Sequence, residues 1–178
     1  GRNEASRNDT WLVCLDQSGA GQRIVDRLSE LGHDVVAVES SDRFRRIGPG
    51  RFAIDPTSRD DFGTVLRELS AGNRVPAVVL HMFSVGAVSG AESAARDYVG
   101  ALNDGFVSLL ALAQALNNAD VTSPIRLAVV TNDAFEVTGH EIVSPGKSVA
   151  LGLCKVIPQE YPTISCACID LTWNAPDL

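Results

Sequence analysis

From Trp11 onward, apolar residues come in short continuous bursts separated by stripes at helical spacing. Trp11–Leu15 is an unbroken apolar run, the pattern of a strand buried on both faces. Gly19 and Gly21 stand where such a strand must turn into a helix. Ile24, Leu28 and Leu31 then recur at helical spacing, and Gly32 is a fitting residue just past the helix end. Asp34–Val38 is the next apolar strand. The stretch Trp11 to Glu39 therefore predicts strand, glycine turn, helix and strand, the first half of a Rossmann-type unit.

The alternation continues. Gly48-Pro49-Gly50 is a turn between Phe44–Ile47 and Arg51–Asp55, whose strand is the least marked of the set. Asp60–Ala71 predicts a helix with the stripe Phe62, Val65, Leu66, Leu69, closed by Gly72. Ala77–Met82 is a buried strand, and a loop carries Gly86 and Gly90. A long helix is expected from about Ala91 to Asn118, with Tyr98, Leu102, Phe106, Leu109, Ala113 and Leu116 on its apolar side. Arg126–Thr131 is a strand. Ser144-Pro145 opens the next helix as N-cap and first residue, Val149, Leu153 and Ile157 give it a buried face, and it ends between Pro158 and Pro162. Ile164–Leu171 is the last strand. The predicted fold is α/β: a truncated, Rossmann-like, doubly wound and mostly parallel sheet of about six strands with helices on both faces.

Composition narrows the function classes. At 178 residues, one domain with a sizeable core is expected. A net charge of −7 argues against nucleic acid as partner, because neutralising phosphates takes a basic patch. The basic group Arg43, Arg45, Arg46 and Arg51 reads as solvated surface, with docking to a neighbouring domain as the lesser option. No apolar run approaches a membrane span and no signal peptide is visible, so no membrane is expected and the location reads as cytoplasmic. Cys14, Cys154, Cys166 and Cys168 lack zinc spacing. Cys166 and Cys168 share one strand face, and the four read as reduced core thiols, with no disulfide expected. The first residue is Gly1, and residues 1–9 read as a disordered polar segment before a single unit, 10–178. The chain is expected to be a piece of a longer polypeptide, with Gly1 a cloning remnant.

Two nucleotide fingerprints test the glycine turn. In G-x-G-x-x-G, Gly19 and Gly21 fill the first two places but Ile24 fills the third. In the short-chain dehydrogenase form, T-G-x-x-x-G-x-G, the first glycine falls on Leu15 and the threonine on Cys14. A leucine where backbone must approach phosphate is a steric objection. Glu39 stands about 20 residues after Gly19, where an acid would bind ribose. On the plainer reading the glycines only make the turn and Glu39 is a solvated strand end.

Short-chain dehydrogenase chemistry needs Asn, Ser, Tyr and Lys, with Tyr and Lys one helical turn apart on one face. Lys147 suits the Lys, but the Tyr then falls on Val143, which has no proton to give. The Ser falls near Val130 or Thr131, and the Asn near Leu102 or Asn103. The two tyrosines, Tyr98 and Tyr161, lie elsewhere. Lys147 alone reads as a solvated first-turn residue. His33, His81 and His140 are scattered, with His81 in a core strand. Asp133 and His140 have no nucleophile to serve, and Asp60, Asp61, Glu92 and Glu160 fit helix ends or exposed faces. No catalytic, cofactor-binding or metal-ligating residue is assigned.

The segments TWLVCLDQSGAGQRIVDRL, AVVLHMFSV, DGFVSLLALAQAL and, most of all, LGLCKVIPQEYPTISCACIDL resemble the structural, N-terminal subdomain of a modular polyketide synthase ketoreductase. The likeness spans Thr10 to Leu171. It implies a truncated short-chain-dehydrogenase fold without nucleotide. The implied partner is a following catalytic half that binds NADPH and reduces β-ketoacyl chains on an acyl carrier protein. It also implies neighbouring synthase domains, with a methyltransferase or inactive reductase beside some such halves. A non-enzymatic supporting role follows. The rivals are a self-contained NAD(P)-dependent reductase with a degenerate turn, and a free-standing module that binds a carrier or partner domain.

Overall fold

The computed structural model describes residues 9–86, 94–119, 123–135 and 145–171. Seven strands are found among them: β1 (Thr10–Cys14), β2 (Asp34–Ser40), β3 (Arg45–Gly48), β4 (Arg51–Ile54), β5 (Pro76–His81), β6 (Ile125–Asn132) and β7 (Ile164–Leu171). They form one sheet in the order β3-β4-β2-β1-β5-β6-β7. Only β3 runs antiparallel to its neighbour; the other pairs are parallel. The connections leave β1 in one direction and resume at β5 on its other side, which puts a topological switch point between these two strands.

The helices are α1 (Ala20–Glu30), α2 (Arg59–Ala71), α3 (Ala94–Leu102), α4 (Ser108–Asn118), α5 (Pro145–Ser148) and α6 (Ala150–Glu160), with a π-helical segment, Asn103–Val107, joining α3 to α4. Ser58 starts α2 by accepting a hydrogen bond from the Asp61 amide at 3.1 Å. Period-two alternation along the strands sends side chains to two cores. Leu12, Val36, Val38, Val79 and Leu127 meet Phe62 and Leu66 of α2, Leu109 and Leu112 of α4, and Leu153 and Ile157 of α6. Val13, Leu15, Ala37, Met82 and Val130 point the other way, where Val25 and the half-buried Ile24 and Leu28 of α1 meet them. Among the described residues, one sheet face is thus covered by α2, α4 and α6 and the other by α1. At the opposite end of the strands, Arg74 grips Asp34 with Nε at 2.8 Å and Nη2 at 2.5 Å, and Thr10 donates to the same carboxylate. The guanidinium holds the Asp34 carboxyl below its usual range.

Several sequence expectations need correction. The sheet has seven strands, not about six: Arg45–Gly48 is the extra one, a short exposed edge with too few apolar residues to announce itself. The long helix is not uniform. The stripe drawn through Tyr98 assumes one helical phase, but the π segment rotates the upstream part. Leu109, Ala113 and Leu116 are buried while Tyr98 is 45% exposed. Tyr98–Asn118 is also long and apolar enough, by length and composition, to cross a membrane, contrary to the reading above. Its leucines, however, pack on the sheet. Helix α6, by contrast, ends at Glu160, between Pro158 and Pro162 as expected. Asp9, at the end of the segment read as disordered, lies 3.2 Å from Arg126. The rest of that segment, together with Gly90, Glu92, His140, Val143 and Ser144, lies outside the described residues.

His81 fills a sealed position between sheet and α4. Its Nε2 lies 2.7 Å from Ser108 Oγ, and its ring stands edge-on to Phe83 at 5.4 Å. Burial drives its pKa down to about 4, so it is neutral in the fold. The unfolded chain takes up a proton below about pH 6.5, so stability is complete above that pH and declines as pH falls toward 4, by up to ~1.4 kcal/mol per unit. Urea midpoints measured between pH 7 and 4.5 are expected to fall, and the slope should flatten in His81→Leu. An unchanged slope in that variant would remove His81 from the account.

Candidate functional site

In an open parallel sheet, chemistry is sited outside the carboxyl ends of the strands at the switch point. Here that rim has two parts, the turn from β1 into α1 and the loops after β5 and β6. The turn begins at Leu15, whose amide still bonds Val38 O at 2.8 Å. Asp16 follows, and its side chain folds back under the start of α1. One carboxylate oxygen accepts the Gly21 amide at 2.5 Å. The other accepts the amides of Ser18 at 3.0 Å and Ala20 at 3.2 Å, and the Ser18 hydroxyl. Asp16 is 8% exposed. Helix N-termini leave amides unsatisfied and carry partial positive charge, which is why they attract phosphate. In this chain the anion is built in.

The glycines follow from that arrangement. Gly19 sits in the left-handed region at φ 91°, as the reversal before α1 requires. A Cβ on Gly21 would stand 2.9 Å from Asp16 Oδ1 and 3.0 Å from Leu15 Cδ2, so this glycine makes room for the chain's own carboxylate. Glu39, placed where an acid would bind ribose, is paired with Arg51 at 2.7 Å, and Arg51 also donates to Gln22 at 2.9 Å. The residues present do not fit a dinucleotide. The amides are in use, the group using them is negative, and Leu15 and Ile24 replace glycines.

The second part of the rim is built around Lys147. Read from the sequence as solvated, it is 7% exposed. Helix α5 presses close on α3, where a Cβ on Gly146 would stand 2.8 Å from Ala101 Cβ. That approach aims Lys147 inward, and Nζ donates to Asn132 Oδ1 at 2.7 Å and to Gly86 O at 3.0 Å. Asn132 ends β6 and also exchanges hydrogen bonds with the Gly86 backbone, 3.0 Å each way. Burial lowers the Lys147 pKa, against the pull of Asp133 and Asp170. Asp170 in turn accepts the amides of Ala134 and Phe135. The result is a clip that ties the loop after β5, the end of β6 and α5 together.

Asp133 joins the clip by accepting from Asn132 Nδ2 at 2.6 Å, and among the described residues no side-chain hydrogen bond brings Tyr98, Tyr161, Asn103 or Thr131 to it. Tyr161 ends α6, Asn103 is exposed on the π segment, and Thr131 is buried. His81 and Ser108 lie at hydrogen-bond distance, but both are sealed in the core. Ser108 gives its proton to Asp104 O at 2.6 Å, so the hydroxyl is not activated. Asp60 and Asp61 sit in the first turn of α2, as expected of helix-end carboxylates. The basic group is largely paired at the surface, Arg46 with Glu68 and Arg51 with Glu39. Sequence reasoning missed Asp16, signalled only by an acid four residues ahead of a helix, and Asn132, for which there was no signal.

The order of the six mutually parallel strands, with the switch point between β1 and β5, defines a Rossmann-like architecture of the short-chain-dehydrogenase kind. Residues 12–177 match the family described as beta-ketoacyl synthase-like, N-terminal, and the chain belongs to that family. Its fold recurs in a multidomain structure holding adenylation, ketoreductase and pseudo Asub domains of a keto acid-selecting NRPS module. There the TM-score is 0.81 at 18% identity, over 98% of this chain and 14% of that one. An N-terminal ketoreductase from the macrolactin assembly line gives a TM-score of 0.75 at 21% identity, over 94% of this chain and 33% of that one. A short chain dehydrogenase/reductase from Brucella ovis gives 0.70 at 16%, over 96% and 86%. The chain thus spans a third or less of the two assembly-line proteins. No curated protein sequence matches it.

Asn132→Ala would leave Lys147 Nζ without one acceptor and the Gly86 amide without its partner, with Gly86 O held by Lys147 alone. A loss of about 3 kcal/mol is expected from urea unfolding, as for hydrogen bonds to a buried charge. A loss below about 0.5 kcal/mol would show the clip to be idle.

Proposed function

We propose that the chain is the non-catalytic structural subdomain of a ketoreductase region in a modular polyketide synthase. It would buttress an NADPH-binding half that reduces carrier-protein-bound β-ketoacyl chains, or an inactive reductase or methyltransferase neighbour. The observation that carries this reading is the Asp16 carboxylate seated on the α1 amides, where a dinucleotide would place its pyrophosphate. Support also comes from the less covered sheet face. Along β7, Ile169 is 45% and Leu171 38% exposed, on the side opposite α6. Apolar surface of that kind fits a neighbouring domain better than water. The likeness to assembly-line proteins agrees in kind, since their folds embed this one in longer chains. Such a synthase would work in the cytoplasm, with residues 10–178 as one unit.

A self-contained NAD(P)-dependent reductase is the second reading. Lys147 favours it, because it is buried at the rim as a dehydrogenase lysine would be. Asp16 opposes it, as does Val143 in place of the proton-donating tyrosine.

Calorimetric titration of the folded chain with NADPH separates the two. No saturable heat is expected up to about 1 mM cofactor, a range that covers ordinary cofactor affinities. Saturable binding that disappears in Gly21→Leu would overturn the structural reading.

A further inference from the structure

Helix α6 carries Cys154 onto the strand that holds two more thiols. Cys166 and Cys168 alternate along β7 and so share the face toward α6, where both pack against the core cluster that contains Cys154. Helix α6 packs along β7, and the Cys154 thiol interacts with both strand thiols. All three are free; Cys154 is buried and the strand pair half-buried. The sequence placed Cys166 and Cys168 together but gave no reason to bring Cys154 to them.

We propose that this three-thiol cluster is a site of oxidative modification, at which Cys154 and Cys166 form a disulfide that staples α6 to the edge strand β7. Cys166 and Cys168 do not bridge each other readily. Alternate residues on a strand stand about 6.6 Å apart with parallel Cβ directions, a poor geometry for a disulfide. Cys154 is therefore the required partner.

The thiols are unequal. The interaction with Cys154 holds Cys166 below the ordinary thiol range. That same interaction, with burial, pushes Cys154 up to about 12, and Cys168 is raised by its interaction with Cys154. Cys166 is thus the thiolate that meets an oxidant first. Its sulfur attacks the O–O bond of hydrogen peroxide, forming S–OH and releasing hydroxide, which leaves as water with the proton lost from the thiol. Cys154 then attacks that sulfur, the S–O bond breaks, and a second water departs with the Cys154 proton. Two thiols are oxidised to one disulfide while one peroxide is reduced to two waters. Cys14, deep in the core and raised by burial, stays reduced and serves as the internal control.

Trypsin cuts after Lys147 and Lys155, which puts Cys154 in one peptide and Cys166 with Cys168 in the next. Treating the full chain with peroxide, blocking free thiols and digesting without reductant should yield these two peptides linked, and dithiothreitol should release them. Cys154→Ser should abolish the link, Cys166→Ser should remove most of it, and Cys168→Ser should keep it. Should Cys154→Ser fail to fold, the Cys166→Ser and Cys168→Ser pair decides. A link that survives Cys154→Ser, equal yields from the two strand variants, or separate sulfinic and sulfonic acids with no linked peptide would each overturn the proposal.

Discussion

A parallel sheet spends its backbone hydrogen bonds on its own strands and must find apolar cover for both faces. The whole molecule depends on how that demand is met. One face is covered by α2, α4 and α6, whose leucines and phenylalanine close a dry core over β1, β2, β5 and β6. The other face has α1 over the central strands. Helix α1 is therefore indispensable, and its N-terminus is secured by Asp16 rather than by a ligand. Beyond its reach, β7 shows the apolar side chains Ile169 and Leu171 exposed on that face.

The rim of the sheet shows the same economy in its charges. A buried carboxylate and a buried ammonium are costly unless every one of their hydrogen-bonding sites is served. Asp16 is served by three amides and a hydroxyl, and Lys147 by Asn132 and the Gly86 carbonyl. Each charge stands where related folds put ligand or substrate chemistry, and each is turned to joining segments of this chain.

What could be read from the sequence follows the strength of the apolar signal. The strands at Trp11, Asp34, Ala77 and Arg126 are mostly continuous apolar runs and the one at Ile164 alternates, and the structure has all five within a residue or two. Strand β3 escaped because RRIG at a sheet edge has one large apolar residue and no buried face. The glycine turn was legible as a turn with faulty nucleotide spacing, but its reason was not, because Asp16 acts through a fold-back that spacing alone does not encode. Lys147 misled for a similar cause. A lysine in a first helical turn is ordinarily wet, and only the tertiary approach of α5 to α3 and the Asn132 acceptor dry it.

The π segment divides one long helix into two with independent angular settings. A residue inserted into an α-helix turns everything on one side of it by about 100° relative to the other. Downstream of Asn103–Val107, α4 is locked to the sheet by leucines that are fully buried. Upstream, α3 takes its orientation from α5. The segment works as a coupling on a shaft. The core half keeps its alignment while the rim half is free to present a different side, so Tyr98 and Val99 face solvent without disturbing a single leucine beneath them.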